Sequence, residues 1–340
     1  MNAKNIVNTQ ELTTALTSMV EHKIPTFVWG APGIGKSSIV KQIAKEKNIG
    51  FIDLRLALMD PTDLKGIPFY DAKKNQALWA EPSFLPHDKN SSGILFLDEL
   101  NSAPPAVQAS AYQLILDRAI GEYQLPDGWA IVAAGNRESD RGVIYKMPSP
   151  LANRFVHFEM GVNVNDWKEW AYKAKIDERV IAYIAYKNEE LFTFDATLNE
   201  KSFATPRSWE FVDKILKSGV ESKLLIATIG GAIGHERAVN FLAFAKVMNR
   251  LPDLELILNG NFDEHYPEEV DVLYALSAGL VSKLLHYHDD TLLNTILDYT
   301  LELKSEFSVM IIQDLQRSGI KMEHLSSYDK WVRQFAYLIM

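Results

Sequence analysis

The run Gly30-Ala-Pro-Gly33-Ile-Gly35-Lys36-Ser37 constrains this chain more than any other stretch. It follows the apolar segment Pro25–Trp29, which reads as a buried strand. It opens a segment from Ser37 to about Lys47 whose apolar residues recur at helical spacing. Glycines followed by a lysine and a hydroxyl, in the pattern G-x-x-x-x-G-K-[ST], let backbone N–H groups curl around a phosphate with no Cβ in the way. The start of the helix adds partial positive charge. The pattern assigns Gly30, Ala31, Pro32, Gly33, Ile34, Gly35, Lys36, Ser37 and Ser38 to the phosphates of a nucleoside triphosphate. Lys36 is expected on the β- and γ-phosphates and Ser37 on Mg²⁺.

Further strands are read at Phe51–Arg55, Ile94–Leu97, Trp129–Ala134 and Phe155–Phe158. The run Ile94–Leu97 is apolar throughout, as a strand covered on both faces should be. Helical spacing recurs over Leu12, Ala15, Leu16, Met19 and Val20 behind a capping box at Asn8–Glu11, and from Pro104 to about Arg118. Strands alternating with helices predict an α/β core with a parallel sheet. Residues 59–86 are rich in Pro, Gly and Asp, with Ile67–Tyr70 and Gln76–Trp79 flanking a lysine-bearing turn; they predict an inserted hairpin. Beyond Met160 helical periodicity dominates. A helix led by Thr205-Pro206 is expected to end at Gly219, and another to run from Gly234 to Met248. The expected division is 1–160 for the nucleotide-binding core, 161–250 for a helical lid and 251–340 for a further helical C-terminal region.

Five more residues carry candidate chemistry. Asp98 and Glu99 end a buried apolar strand, where two carboxylates are out of place unless something cationic waits at the tip. Asp98 is expected to hold Mg²⁺ and Glu99 to polarise the attacking water. Asn136 ends the run Ile131–Gly135 and can orient that water or contact the γ-phosphate; turn asparagines are also common. Arg154, in Leu151-Ala-Asn-Arg154-Phe155, is either a surface residue or a cation presented to the γ-phosphate of an adjacent copy, with Arg137 and Arg141 as lesser candidates. Arg207 opens a helix, where the macrodipole does not favour a cation. A bound phosphate across a domain cleft explains it, and so does ordinary solvation.

Composition narrows the rest. The 340 residues include no cysteine, which removes disulfides, thiolate nucleophiles and cysteine-held zinc. The formal net charge of -9 disfavours non-specific binding to nucleic acid or anionic membrane. No run of 18 apolar residues predicts membrane insertion, and the first residues lack a leader's apolar run, so a cytoplasmic location is expected. The eight histidines show no metal-ligand spacing; His286 and His288, flanking Tyr287, would point to different faces of a helix.

Taken together these segments resemble the AAA+ ATPases, and among them the MoxR-like family. The similarity covers roughly residues 25–160 and extends more loosely to about 245. Its most specific string is Leu97-Asp-Glu-Leu-Asn-Ser-Ala-Pro-Pro105-Ala-Val-Gln108. Met147–Phe155 is similar to the family's finger segment, Thr205-Pro-Arg207 to its second sensor, and residues 59–86 to its hairpin insertion. Ser102 departs from the family's common arginine, and Glu81-Pro-Ser-Phe84 from Gly-Pro-Leu-Phe. The resemblance implies a homo-oligomeric ring, usually a hexamer, hydrolysing ATP with Mg²⁺ between subunits. Arg154 would then act in trans and Arg207 in cis. It further implies chaperone-like remodelling of a partner, often beside a protein with a von Willebrand factor A domain. The alternatives are a DNA-acting motor of the restriction or helicase-loading type, a nucleotide-dependent assembly scaffold with little turnover, and a small-molecule kinase, which has no use for Arg154 and Arg207.

Overall fold

The computed structural model describes residues 6–140, 144–198, 200–262, 266–286 and 289–338. Ten strands are formed among the described residues: β1 (Ile6–Val7), β2 (Thr26–Trp29), β3 (Gly50–Arg55), β4 (Ile67–Asp71), β5 (Gln76–Ala80), β6 (Ser92–Asp98), β7 (Ala119–Ile120), β8 (Tyr123–Gln124), β9 (Gly128–Gly135) and β10 (Val156–Met160). Helices α1 (Thr9–Glu21), α2 (Lys36–Glu46), α3 (Pro61–Lys65), α4 (Pro105–Asp117) and α5 (Ser149–Ala152) alternate with them. The chain divides into two compact units, Met1–Val162 with Asp195–Asn199, and Asn163–Phe194 with Glu200–Met340.

In the first unit six strands form one sheet in the order β1-β10-β2-β9-β6-β3, every neighbouring pair parallel. Five of these strands are those expected from the sequence. The sixth, β1, adds two residues at the edge, pairing Ile6 with Glu159 and Val7 with Met160. A two-residue strand with one exposed and one half-buried side chain leaves no periodic signal. The central strands are sealed on both faces: Gly93–Leu97 and Trp129–Gly135 are buried throughout. One face packs Phe27, Leu95, Leu97, Ile131 and Ala133 against Leu64 of α3 and Val107, Ala111 and Leu114 of α4. Each fully buried Phe, Leu, Ile or Val side chain among these contributes about 1.5–3 kcal/mol. α1 and α2 pack on the sheet as well, through contacts with β9, β10, β6 and β3.

Local signals in the sequence have local causes in the structure. Asn8 and Glu11 form the reciprocal capping box, each side chain accepting the other's backbone N–H at 2.9 Å. Pro104 and Pro105 start α4, where a missing N–H costs nothing. β4 and β5 pair antiparallel as the expected hairpin, and its turn residues 72–75 are exposed.

The second unit is helical: α6 (Val164–Lys173), α7 (Glu178–Tyr186), α8 (Pro206–Lys217), α9 (Leu225–Ile233), α10 (His235–Ala245), α11 (Leu254–Leu258), α12 (Val270–Leu284), α13 (Asp290–Thr300), α14 (Ser305–Arg317) and α15 (Ser326–Phe335). Helices from both sides of the boundary expected at residue 250 pack together in it, α12 lying against α7 and α14 against α6. Thr205 caps α8 as its sequence predicts, and Gly219 follows the helix end at φ +74°. α10 is shorter than expected, because Lys246–Arg250 tightens into a 3₁₀ turn before Pro252. Tyr287 and His288 lie outside the described residues. Among the described residues no helix is long and apolar enough to cross a membrane.

Candidate nucleotide site

The sheet order brings the candidate residues of the first unit together. β2, β9 and β6 are consecutive strands running in one direction, so their C-terminal ends lie side by side. The glycine-rich loop leaves β2, Asn136 follows β9, and Asp98 ends β6. The carboxyl edge of an open parallel sheet is where such folds bind ligands.

The loop has the backbone of an anion cradle. Gly33 and Gly35 adopt φ +77° and +100°, which side-chain-bearing residues rarely do. Gly35 is the residue before α2, and no side chain caps that helix, so its first N–H groups stay directed at whatever lies before it. The Lys36 ammonium reaches back over the loop, donating to the carbonyls of Gly30 (2.6 Å) and Ala31 (3.0 Å) and to Asn136 Oδ1 (3.2 Å). A cation, a ring of N–H donors, the Ser37 hydroxyl and the Asp98 carboxylate form a donor set that fits a polyphosphate with a hard divalent cation. Ser38 is exposed in the same first turn.

Glu99 of the acidic pair is held under backbone strain. Glu99 sits at φ +55°, ψ +33°, a left-handed conformation that costs a non-glycine residue about 1–3 kcal/mol and concentrates at functional sites. Its backbone N–H donates to Asp98 Oδ1 at 3.0 Å, which orients that carboxylate. Asp53 of β3 stands close enough to Asp98 to feel its charge. Asp53 is exposed, yet partial desolvation by the surrounding protein first, and Asp98 second, push its carboxyl above its ordinary value.

Two further residues of this region have roles that their sequence positions do not show. Asn101 is almost fully buried, and its Nδ2 donates to the backbone carbonyl of Asn136 at 2.7 Å. Its Oδ1 has no hydrogen-bond partner among the described residues and lies where a Cβ on Gly135 would collide with it, so glycine at 135 is what lets the two strand tips close. Gln108, also buried, donates to the carbonyl of Ala103 at 3.0 Å and fixes the turn after the acidic pair. Both lie in the Leu97–Gln108 string. Their partners are set by folding, which is why residue type alone gave them no task.

The arginines separate clearly. Arg137 is bound within its own unit, paired with Asp140 at 2.9 Å and Glu159 at 3.4 Å, and the Asp140 hydrogen bond raises its pKa further. That leaves it unsuited to reach an adjacent copy. Arg141 lies outside the described residues. Arg154 is exposed on the turn between α5 and β10, and no ion pair or side-chain hydrogen bond is formed by it among the described residues. Arg207 is exposed in the first turn of α8, in the second unit.

Residues 26–157 match the ATPase family associated with various cellular activities (AAA). The domain that these residues form is an AAA-family ATPase domain. Solved structures align over most of the chain at low identity. One is a Cytophaga hutchinsonii protein provisionally described as an ATPase, 12% identical over 97% of this chain and 91% of that one, TM-score 0.38. Another is the Thermotoga maritima RuvB Holliday junction branch migration motor, 20% identical over 82% and 84%, TM-score 0.37. A third is Brucella abortus NtrX with ADP, 12% identical over 92% and 68%, TM-score 0.40.

Proposed function

We propose that this AAA ATPase-family chain hydrolyses ATP to ADP and phosphate in a homo-oligomeric ring, with a hexamer expected, and uses the cycle to remodel a partner protein in the cytoplasm. The observation that carries the reading is the convergence of Lys36, Asp98, Glu99 and Asn136 on adjacent strand ends, beside an uncapped helix start. Lys36 and the loop N–H groups bind and orient the β- and γ-phosphates. Ser37 and Asp98 would hold Mg²⁺, whose charge would neutralise those phosphate oxygens. Glu99 takes a proton from the attacking water, and Asn136, held by Asn101 and Lys36, fixes where that water stands. The exposed Arg154 is assigned to the γ-phosphate of the adjacent subunit. Arg207 keeps the role its resemblance implies, stabilising the γ-phosphate of its own subunit.

A MoxR-like remodeler acting on a protein with a von Willebrand factor A domain is the partner class we propose. Net charge -9 disfavours the DNA-acting alternative. Capture from the native host with Glu99→Gln and ATP, followed by identification of the retained proteins, tests the partner class. Recovery of such a protein supports it, whereas ATPase stimulation by DNA that weakens steeply with salt supports the alternative.

A further inference from the structure

The strand that delivers the phosphate loop pairs with β10, Val156 N–H donating to the Pro25 carbonyl at 2.9 Å, and one imidazole adds a side-chain tie to the turn that carries Arg154. Trp29 is the last residue of β2, and Gly30 follows it directly. Its indole N–H donates to Nδ1 of His157 on β10 at 2.9 Å. The other ring nitrogen, Nε2, lies 2.7 Å from the carbonyl oxygen of Ala152. An indole N–H can only donate and a carbonyl can only accept. The two partners therefore require a neutral imidazole with its proton on Nε2, donated to Ala152.

Ala152 ends α5, two residues before Arg154. The turn is gripped on its other side as well. Phe155 is buried, with its ring edge-on to Phe27 at 5.5 Å and to His157 at 6.2 Å. The Trp29 and His157 rings stack at 6.0 Å with 25° between their planes. Between these two anchors only Asn153 and Arg154 are exposed.

We propose that His157 is a positioning residue for Arg154: it holds the finger turn in fixed register with the phosphate-loop strand of the same subunit, so that the guanidinium is presented correctly to the neighbour. This rests on the reading in which Arg154 acts in trans. A purely structural histidine in the core would affect stability and both functions of a subunit alike. A positioning histidine affects only what the subunit donates.

The test uses mixed full-length subunits. Arg154→Ala subunits keep an intact phosphate loop and can only accept a finger. Lys36→Ala subunits keep Arg154 and can only donate one. Mixing the two restores turnover at the mixed interfaces. His157→Phe preserves the ring stack and its volume but removes both hydrogen bonds, while His157→Gln again offers one acceptor and one donor. Placed in the donor, His157→Phe is expected to lower the restored turnover by about 10²-fold, the loss typical of a reacting group misplaced by about 1 Å. Placed in the acceptor, it leaves turnover and ATP Kd unchanged, and His157→Gln in the donor recovers most of the loss. Undiminished turnover with the His157→Phe donor, or equal losses in donor and acceptor, overturns the inference while leaving Arg154 in its role. Absence of any rescue between the two parent variants overturns the trans reading itself, and the inference with it.

Discussion

The two units differ in where their polar side chains gather. In the helical unit several buried groups close on one another. Lys168 of α6 lies 2.5 Å from Asp314 of α14, with both side chains almost fully buried, and the Tyr172 hydroxyl donates to the same carboxylate at 3.4 Å. Burial, then Asp314, raises the Tyr172 pKa well above its usual value. Trp331 donates to Ser308, and the Asp177 N–H to Asp213. In the sheet unit half-buried polar groups gather at one edge: a lysine over loop carbonyls, two carboxylates at a strand end, and an asparagine tip. A network that satisfies itself specifies packing. Groups converging on an edge beside an uncapped helix start are arranged for a ligand.

The largest expected effect separates the two exposures of arginine within the sheet unit. Arg154→Ala should lower ATP turnover by about 10³–10⁵ with ATP affinity retained. Arg137→Ala, which breaks a bound network, should instead lower Tm. Equal turnover losses from the two would erase the distinction drawn between them.

Next, Lys168→Met should destabilise the helical unit by about 3–5 kcal/mol, because it strands a buried carboxylate. Urea unfolding measures this, and ATP Kd at the sheet unit should not change. Adding Asp314→Leu should recover much of the loss, since a buried pair replaced by apolar groups is often neutral. Failure of that recovery would mean that the pair does more than fill the α6–α14 contact.

A smaller effect is expected at Asn101. Asn101→Ala leaves the Asn136 carbonyl without its donor, a loss of about 1–3 kcal/mol, and should reduce kcat about tenfold with little change in KM. A KM effect without a kcat effect would move Asn101 from water placement to nucleotide binding.

The smallest effect concerns Asp53. Its folded pKa is raised, so the stability present below the unfolded value, about 4, is lost as pH rises through the folded value. Asp53→Asn should therefore raise Tm at pH 7, with the gain disappearing as pH falls below about 4. A gain independent of pH would locate the effect in packing instead of charge.

The difference between the units also marks what was legible in the sequence. β2, its loop and α2 are contiguous, so a complete spacing pattern specified them. The caps at Asn8 and Thr205 act within three residues and were equally readable. Asn101 and His157 were not, because their partners Asn136 and Trp29 lie 35 and 128 positions away and meet only when parallel strands align. α9 escaped for another reason. Its nine residues, Leu225–Ile233, are nearly all apolar or glycine, so no polar face marks a helical period. Arg137 and Arg154 are alike in type, and only the fold shows one bound and the other exposed.

The most direct test of the account measures nucleotide binding and phosphate release together on three full-length proteins, the parent chain, Lys36→Ala and Glu99→Gln, with Mg²⁺ present. The account predicts that the parent binds ATP and releases phosphate, that Lys36→Ala binds poorly, and that Glu99→Gln binds ATP as the parent does while its release falls by about 10²–10⁴. Phosphate release by Glu99→Gln at the parent rate, or parent-level ATP binding by Lys36→Ala, would contradict it.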